Sequence, residues 1–309
     1  MDHFKSFTSN VAERFGALNQ QARERFGHAD DITELPEEYR HLEQRVDAMK
    51  NAHASMIRTV RVFEQEAYDY PQHLQETLSQ SAQSIGHTLS SWASTAAKNT
   101  NMGNVEPTHA PETAPRTLYH ALSRSATSAA MDLEQVPMSA SQSIEEPGAS
   151  IEHKLAELLK KLAVAENSIG NARLTQDRSI VQSFIMVWNA FGSQINLALK
   201  ARQSVRDARL HLDNRRGALK HAEQHDSVRA ESIRGEVEQA EDKLVGVTEE
   251  AISLMKAVLD NPEPVQTLAS LVKAQLHYYR ESVGVLEQLD QDMSHAATTA
   301  ESAYRASRS

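Results

Sequence analysis

Apolar residues recur at spacings of three and four along most of this chain, the pattern of helices that shelter one stripe. The first run holds Phe4, Phe7, Val11, Phe15, Leu18 and Ala22, with Lys5, Arg14, Arg23 and Arg25 at polar positions. It predicts an amphipathic helix over residues 1 to about 28. A second run, Leu42, Val46, Met49, His53, Met56, Val60 and Phe63, predicts a helix over about 34–98. Thr33 suits its N-cap and Pro36 its first turn, while Pro71 is a place to kink. A third run starts at Leu155, Leu158 and Leu162 and passes through Ile169, Ile180, Val205 and Leu212, predicting a helix over about 151–222. The last, through Ile233, Val237, Leu244, Leu254, Leu271, Tyr278 and Met293, predicts a helix over about 226–306, interrupted at Asn261-Pro262-Glu263-Pro264.

Residues 99–150 break the pattern. Pro107, Pro111, Pro115, Pro137 and Pro147 lie there among Ser, Thr and Ala, a composition expected of a mainly disordered insertion. Thr117–Leu122 has the makings of a short helix inside it.

Helices of about 60–80 residues would be roughly 90–120 Å long. Such rods pack side by side, so the expected fold is all-α: a long antiparallel three-helix coiled-coil bundle over residues 29–306. Apolar stripes of that length call for a second subunit. The most apolar stretch, 180–199, is the expected intersubunit core, centred on Phe184, Val187, Phe191 and Ile195.

Composition narrows the function. Among 309 residues there is no Cys, which excludes disulfides, thiol catalysis, and Cys-based metal sites and lipid anchors. No apolar run approaches the roughly 20 residues that span a bilayer, and no apolar signal core opens the chain, so an intracellular, cytoplasmic protein is expected. The net charge of -10 disfavours nucleic acid. It disfavours anionic lipid too, unless positive charge is segregated. Between Lys200 and Arg234 it is: Lys200, Arg202, Arg206, Arg209, Arg215, Arg216, Lys220, Arg229 and Arg234 face only Asp207, Asp213, Glu223, Asp226 and Glu231. These nine bases are the candidate headgroup-binding residues, and Phe4, Phe7, Val11, Phe15 and Leu18 the candidate membrane-inserting ones. The same Phe stripe also suits docking on the protein's own core, and mixed charge also suits a solvated helix face.

Several segments resemble one family in order and spacing. LHLDNRRGALKHA at 210–222 resembles the end of helix 2 in endophilin-type BAR domains. VKAQLHYY at 272–279 resembles their helix 3, and AENSIGNAR at 165–173 the start of helix 2. ELPEEY at 34–39, LEQRVD at 42–47 and YDYP at 68–71 look more like the fungal Golgi-vesicle BAR proteins. The resemblance, to the N-BAR subclass, implies a crescent-shaped antiparallel homodimer with helix 2–3 tips. It implies binding to anionic phospholipid membranes, and sensing or generation of their curvature, in Golgi or endosomal vesicle trafficking or endocytosis. Trafficking proteins are then the expected protein partners, with no catalysis and no cofactor.

Other chemistry is thin. His221 and His225 are four apart without a third ligand, so no metal is expected. Phosphate loops and nucleophile elbows are missing. Ser125, after Arg124, is a candidate phosphorylation site. The rival reading is a coiled-coil scaffold or tether that acts through protein partners without bending membrane.

Overall fold

The computed structural model describes residues 33–71, 88–95, 116–135, 151–225, 227–306 and 308. The amphipathic run at 1–28 lies outside them. Among the described residues there is no strand. The named helices are α1 (Glu37–Val60), α2 (Leu118–Glu134), α3 (Ile151–Ile180), α4 (Met186–His225), α5 (Ser227–Leu259) and α6 (Glu263–Ala306). Residues 88–95 are also helical. The chain divides into two compact units, one with residues up to 59 and 186–267, the other with 60–185 and 268–309.

In the first unit, α1 carries Glu37 and Glu38 in its first turn and Arg58 in its last, matching the helix dipole. It buries Tyr39, Leu42 and Val46 at successive spacings of three and four. They join Phe191, Ile195, Val205 and Leu212 of α4, and Ile233, Leu244, Ile252 and Val258 of α5, in one core. α4 and α5 form a hairpin tied across by Arg215–Glu236, Arg216–Glu241 and Arg234–Glu223 pairs. Gly192 lets the His53 ring lie close: a Cβ there would stand 2.7 Å from it. His53 Nε2 meets the Trp188 carbonyl at 2.8 Å, and Trp188 Nε1 donates to the His53 carbonyl at 3.1 Å.

The helix expected to reach about 98 stops at Val60. A 3-10 turn, Arg61–Glu64, follows, then an extended Gln65 and turns that end at Pro71. Proline restricts the residue before it to extended backbone and offers no N–H, so the helix cannot run through Tyr70-Pro71. The expected helix over 151–222 forms as α3 and α4, separated by one π-helical turn, Val181–Ile185. That turn takes up an extra residue where the buried positions Ile180, Phe184 and Trp188 fall four apart twice running. Asn261 ends the α5–α6 break: its side chain accepts from the Glu263 N–H at 2.9 Å and so caps α6.

The second unit holds the main departure from the sequence reading. Of the stretch expected to be mainly disordered, 118–134 is α2, a 17-residue helix where a short one over Thr117–Leu122 was expected. Thr117 caps it by accepting from His120 N–H. Its inner face is small: Ala121, Ser123, Ala126, Thr127 and Ala130 are buried. Small residues allow close approach, and Ser123 Oγ donates to the Ala163 carbonyl of α3 at 2.7 Å. Glu134 pairs with Lys160, so α2 runs antiparallel to α3. Leu89 and Trp92 of the 88–95 helix complete a small cluster with Ala126 and Ala163.

Candidate functional site

The nine candidate bases fall on the α4–α5 hairpin, and the structure divides them. Arg202 is only 6% exposed. Its Nε donates to Glu43 at 2.9 Å, and its two terminal nitrogens donate to Asp47 at 2.8 and 3.2 Å. Burial opposes the charge of Arg202, but the hydrogen bonds to Asp47 and Glu43 outweigh it and raise its pKa. The Asp47 carboxyl is held below the usual range, chiefly by its hydrogen bonds from Arg202. Arg202 therefore clamps α1 to α4, with all three of its guanidinium nitrogens engaged by Glu43 and Asp47.

Arg215 pairs with Glu236 and Arg216 with Glu241, each at 2.7 Å. Arg234 meets Glu231 at 2.8 Å and Glu223 at 3.0 Å. Arg209 lies 4.0 Å from Asp213. Arg206 is exposed and donates to Gln203, a neutral partner. Arg229 is exposed as well. Lys200 and Lys220 are exposed and form no ion pair among the described residues. Lys200, Arg206, Lys220, Arg229 and Arg234 are thus the exposed bases of the nine, while Arg215, Arg216 and Arg234 form the cross-helix pairs that hold the hairpin together.

Three of the four apolar residues expected between subunits are buried within the single chain. Phe184, Phe191 and Ile195 are 0, 1 and 2% exposed in the single chain, and Val187 is half-buried. The cover over Phe191 and Ile195 includes Leu35, Tyr39, Leu42 and Val46. Apolar surface is instead left open on α6. Leu268, Val272, Leu276, Tyr279, Val283 and Leu286 are 39–60% exposed and recur at spacings of four, four, three, four and three. They form one continuous stripe along the helix. On the inner side, α6 buries Ala274, Tyr278 and Ser282. It is joined to the rest of its unit by a Lys161–Asp292 pair at 2.8 Å and by the Tyr119 ring against Tyr278.

His221 and His225 lie ring to ring at 4.8 Å, and no group of three or more potential metal ligands exists among the described residues. No helix among the described residues is long and apolar enough to cross a membrane.

Long packed helices, an open apolar stripe and a hairpin that gathers exposed bases define a helical scaffold class. Within that class the chain belongs to the BAR domain family: residues 15–295 match the model of the "Bin/amphiphysin/Rvs domain for vesicular trafficking". The family is one of membrane-binding scaffolds that act on curvature in trafficking. The chain is similar to Protein GVP36 of Saccharomyces cerevisiae, 27% identical over 273 residues that cover 88% of this chain and 79% of that one. It is also similar to the Meiotically up-regulated gene 64 protein of Schizosaccharomyces pombe, 24% identical over 292 residues, 93% of this chain and 96% of that one.

Proposed function

We propose that this protein binds anionic membranes as a crescent-shaped BAR homodimer and bends them, at Golgi, endosomal or other vesicle surfaces in trafficking or endocytosis. The observation that supports the reading is a local excess of base: in a chain of net charge -10, residues 200–234 hold nine bases against five acids, and Lys200, Arg206, Lys220 and Arg229 are exposed there. Each base near an anionic leaflet contributes about 1 kcal/mol, so four per subunit give a weak contact that dimerisation strengthens by avidity. Several neighbouring arginines are paired with acids, so affinity leans on residues 1–28. Phe4, Phe7, Val11, Phe15 and Leu18 enter one leaflet as a wedge and add to curvature. The open α6 stripe supports dimerisation, because an apolar surface of that continuity is sheltered by a second copy.

Sedimentation with phosphatidylserine and neutral vesicles of several diameters, followed by electron microscopy, tests the reading. Selective binding to the anionic vesicles and tubule formation are expected. Sedimentation with none of them would replace it by the scaffold or tether reading. Phe4→Glu with Phe7→Glu is expected to reduce binding and tubulation, and unchanged behaviour would remove the wedge from the account.

A further inference from the structure

A polar pocket of about 260 Å³ opens between α3 and α6, wholly within the second unit. Gln176 and Ser179 of α3, with Ser183 of the π-helical turn, line one wall, and Ser270, Lys273 and His277 of α6 line the other. No carboxylate lines it among the described residues. Asp177, beside Gln176 in sequence, is paired instead with Arg173 at 3.3 Å. Lys273 is exposed and forms no ion pair among the described residues. Neither does Arg178, which donates to Thr175, another lining residue, at 3.2 Å. Gln176 is 6% exposed, yet its side-chain amide makes no hydrogen bond among the described residues. A buried amide ordinarily has a partner, and the space this one lines is the pocket.

These groups call for a ligand of mixed chemistry. The Lys273 ammonium is a charged donor with no acceptor, so it suits an anionic oxygen. Ser183 Oγ already donates to the Ser179 carbonyl at 2.7 Å, and Thr175 Oγ1 to the Asn171 carbonyl at 3.0 Å. What such hydroxyls offer outward is lone pairs, which suit donors on the ligand. The Gln176 amide supplies both kinds. A bare phosphate dianion meets the first demand and brings no donor for the second. A phosphate carried on a ring of hydroxyls meets both. The volume falls below the roughly 300–1,000 Å³ of sites for drug-sized molecules and suits one small headgroup. We propose that this pocket binds a phosphorylated cyclic polyol, an inositol phosphate, with Lys273 and Arg178 on the phosphate and Gln176 and Ser183 on ring hydroxyls. The ligand is the headgroup of a phosphorylated inositol lipid or the free molecule, which share this chemistry. None of the nine hairpin bases lines the pocket, so it is a contact separate from the one proposed above.

Calorimetry of the full-length chain in solution, with inositol trisphosphate and with inorganic phosphate, tests the site without a bilayer. Inositol trisphosphate should saturate one site per chain, and inorganic phosphate should bind roughly tenfold or more weakly. Lys273→Ala should lower the affinity for inositol trisphosphate by roughly tenfold, and Gln176→Met, which keeps the shape and removes the amide, by roughly fivefold. Lys273 is exposed, so its replacement should leave circular dichroism unchanged. Lys243→Ala, at an exposed lysine of α5 outside the pocket and the nine bases, should have no effect. Hydrogen exchange should slow on ligand addition within residues 175–183 and 270–277. No saturable binding, equal affinity for inorganic phosphate, binding untouched by Lys273→Ala, or an equal loss in Lys243→Ala overturns the site. Vesicles of matched charge then identify the source. A preference for phosphatidylinositol phosphate over phosphatidylserine that Lys273→Ala abolishes assigns the lipid headgroup. Binding of the soluble ligand without that preference assigns the free molecule. A protein that binds inositol trisphosphate and sediments with no vesicle keeps the pocket and loses the membrane reading.

Discussion

Arg173 and Asp177 lie one turn apart on α3, Nη2 to Oδ2 3.3 Å, with side chains only 2 and 8% exposed. Arg173 faces outward from that pair to the segment after α1. Its Nη1 donates to the Glu66 carbonyl at 2.7 Å and pairs with Asp69 at 3.2 Å, and its guanidinium lies 4.0 Å over the Tyr68 ring. The same segment holds the start of α2, since Glu66 accepts from Arg116 N–H at 2.6 Å and Asp69 from Leu118 N–H at 3.3 Å. One buried arginine thus organises two pieces of chain, while neither Asp177 oxygen makes a hydrogen bond among the described residues.

That geometry sets a pH dependence. Burial pushes the Asp177 carboxyl up to about 6 and the charges of Asp69 and Glu66 add to the rise, while Arg173 opposes it. A carboxyl raised above its unfolded value binds more protons in the native state, so its contribution to stability grows as pH falls from about 6 toward 4 and is lost as pH rises through 6. His120, lowered first of all by burial, works in the opposite direction, losing stability as pH falls through its folded pKa. Asp177→Asn isolates the first effect. Relative to wild type it should be most favourable near pH 8 and lose that advantage by about pH 4.5, measured by urea unfolding. A variant that tracks wild type across the range would show that Asp177 is ionised throughout.

Two glycines make a matched pair. A Cβ on Gly170 would stand 2.5 Å from the His120 ring. That ring cannot step aside easily, because Nδ1 bonds Thr117 Oγ1 at 2.7 Å and Nε2 faces Asn171 Oδ1 at 3.4 Å. Gly170→Ala should therefore loosen α2, with overpacking of about 1–3 kcal/mol exceeding a gain in helix propensity of about 1 kcal/mol. Faster hydrogen exchange confined to residues 116–135 is the expected sign. Gly217→Ala, with open space around it, should stabilise by about 0.5–1 kcal/mol. Equal effects at the two sites would contradict the packing of His120.

The helical seams were legible because burial follows them: Leu42 and Val46, Ile180 and Phe184, Val237 and Leu244 are all inside. What covers a seam was not legible. The apolar run around Phe191 announces burial, but whether α1 or a second subunit provides the cover depends on residues some 150 positions away. Arg202 reads as a surface base for the same reason, since Glu43 and Asp47 lie 159 and 155 positions before it. Only the start of α2, Thr117–Leu122, was legible as a short helix, because Ser, Thr and Ala suggest disorder when they are counted. Placed at helical spacing behind the Thr117 cap, they form a face small enough to approach α3 closely. Thr33 reads as the cap of α1 in the sequence, but α1 starts only at Glu37, and Thr33 bonds Asp213 of α4 instead.

Arg202 and Lys220 should separate stability from binding. Arg202→Ala removes the clamp on α1 and leaves Glu43 and Asp47 without it. Their side chains are 24 and 51% exposed, so water compensates in part and a loss of about 1–3 kcal/mol is expected. Vesicle binding by the folded fraction should not change. Lys220→Glu should leave the melting curve in place, within about 0.5 kcal/mol. It should weaken sedimentation with anionic vesicles by roughly fivefold or more at low salt, an effect that shrinks as salt screens it. The reverse pattern would mean that the exposed face of the hairpin does not meet lipid.

The α6 stripe gives the test of dimerisation. Leu276 and Tyr279 are 44 and 59% exposed in the single chain, so charging them should not unfold it. At a twofold interface every substitution acts twice. Fully burying one such side chain contributes about 1.5–3 kcal/mol, and about half of that is left to gain here, so Leu276→Lys with Tyr279→Glu removes on the order of 3–6 kcal/mol from the dimer. Sedimentation velocity should then find monomers where wild type forms dimers, with circular dichroism unchanged. Phe191→Ala is the contrasting case. Phe191 is already buried by its own chain, so its loss should destabilise the fold by about 3–5 kcal/mol and lower the melting temperature before it affects association. Dimers that survive the double substitution on α6 would place the subunit contact on another face.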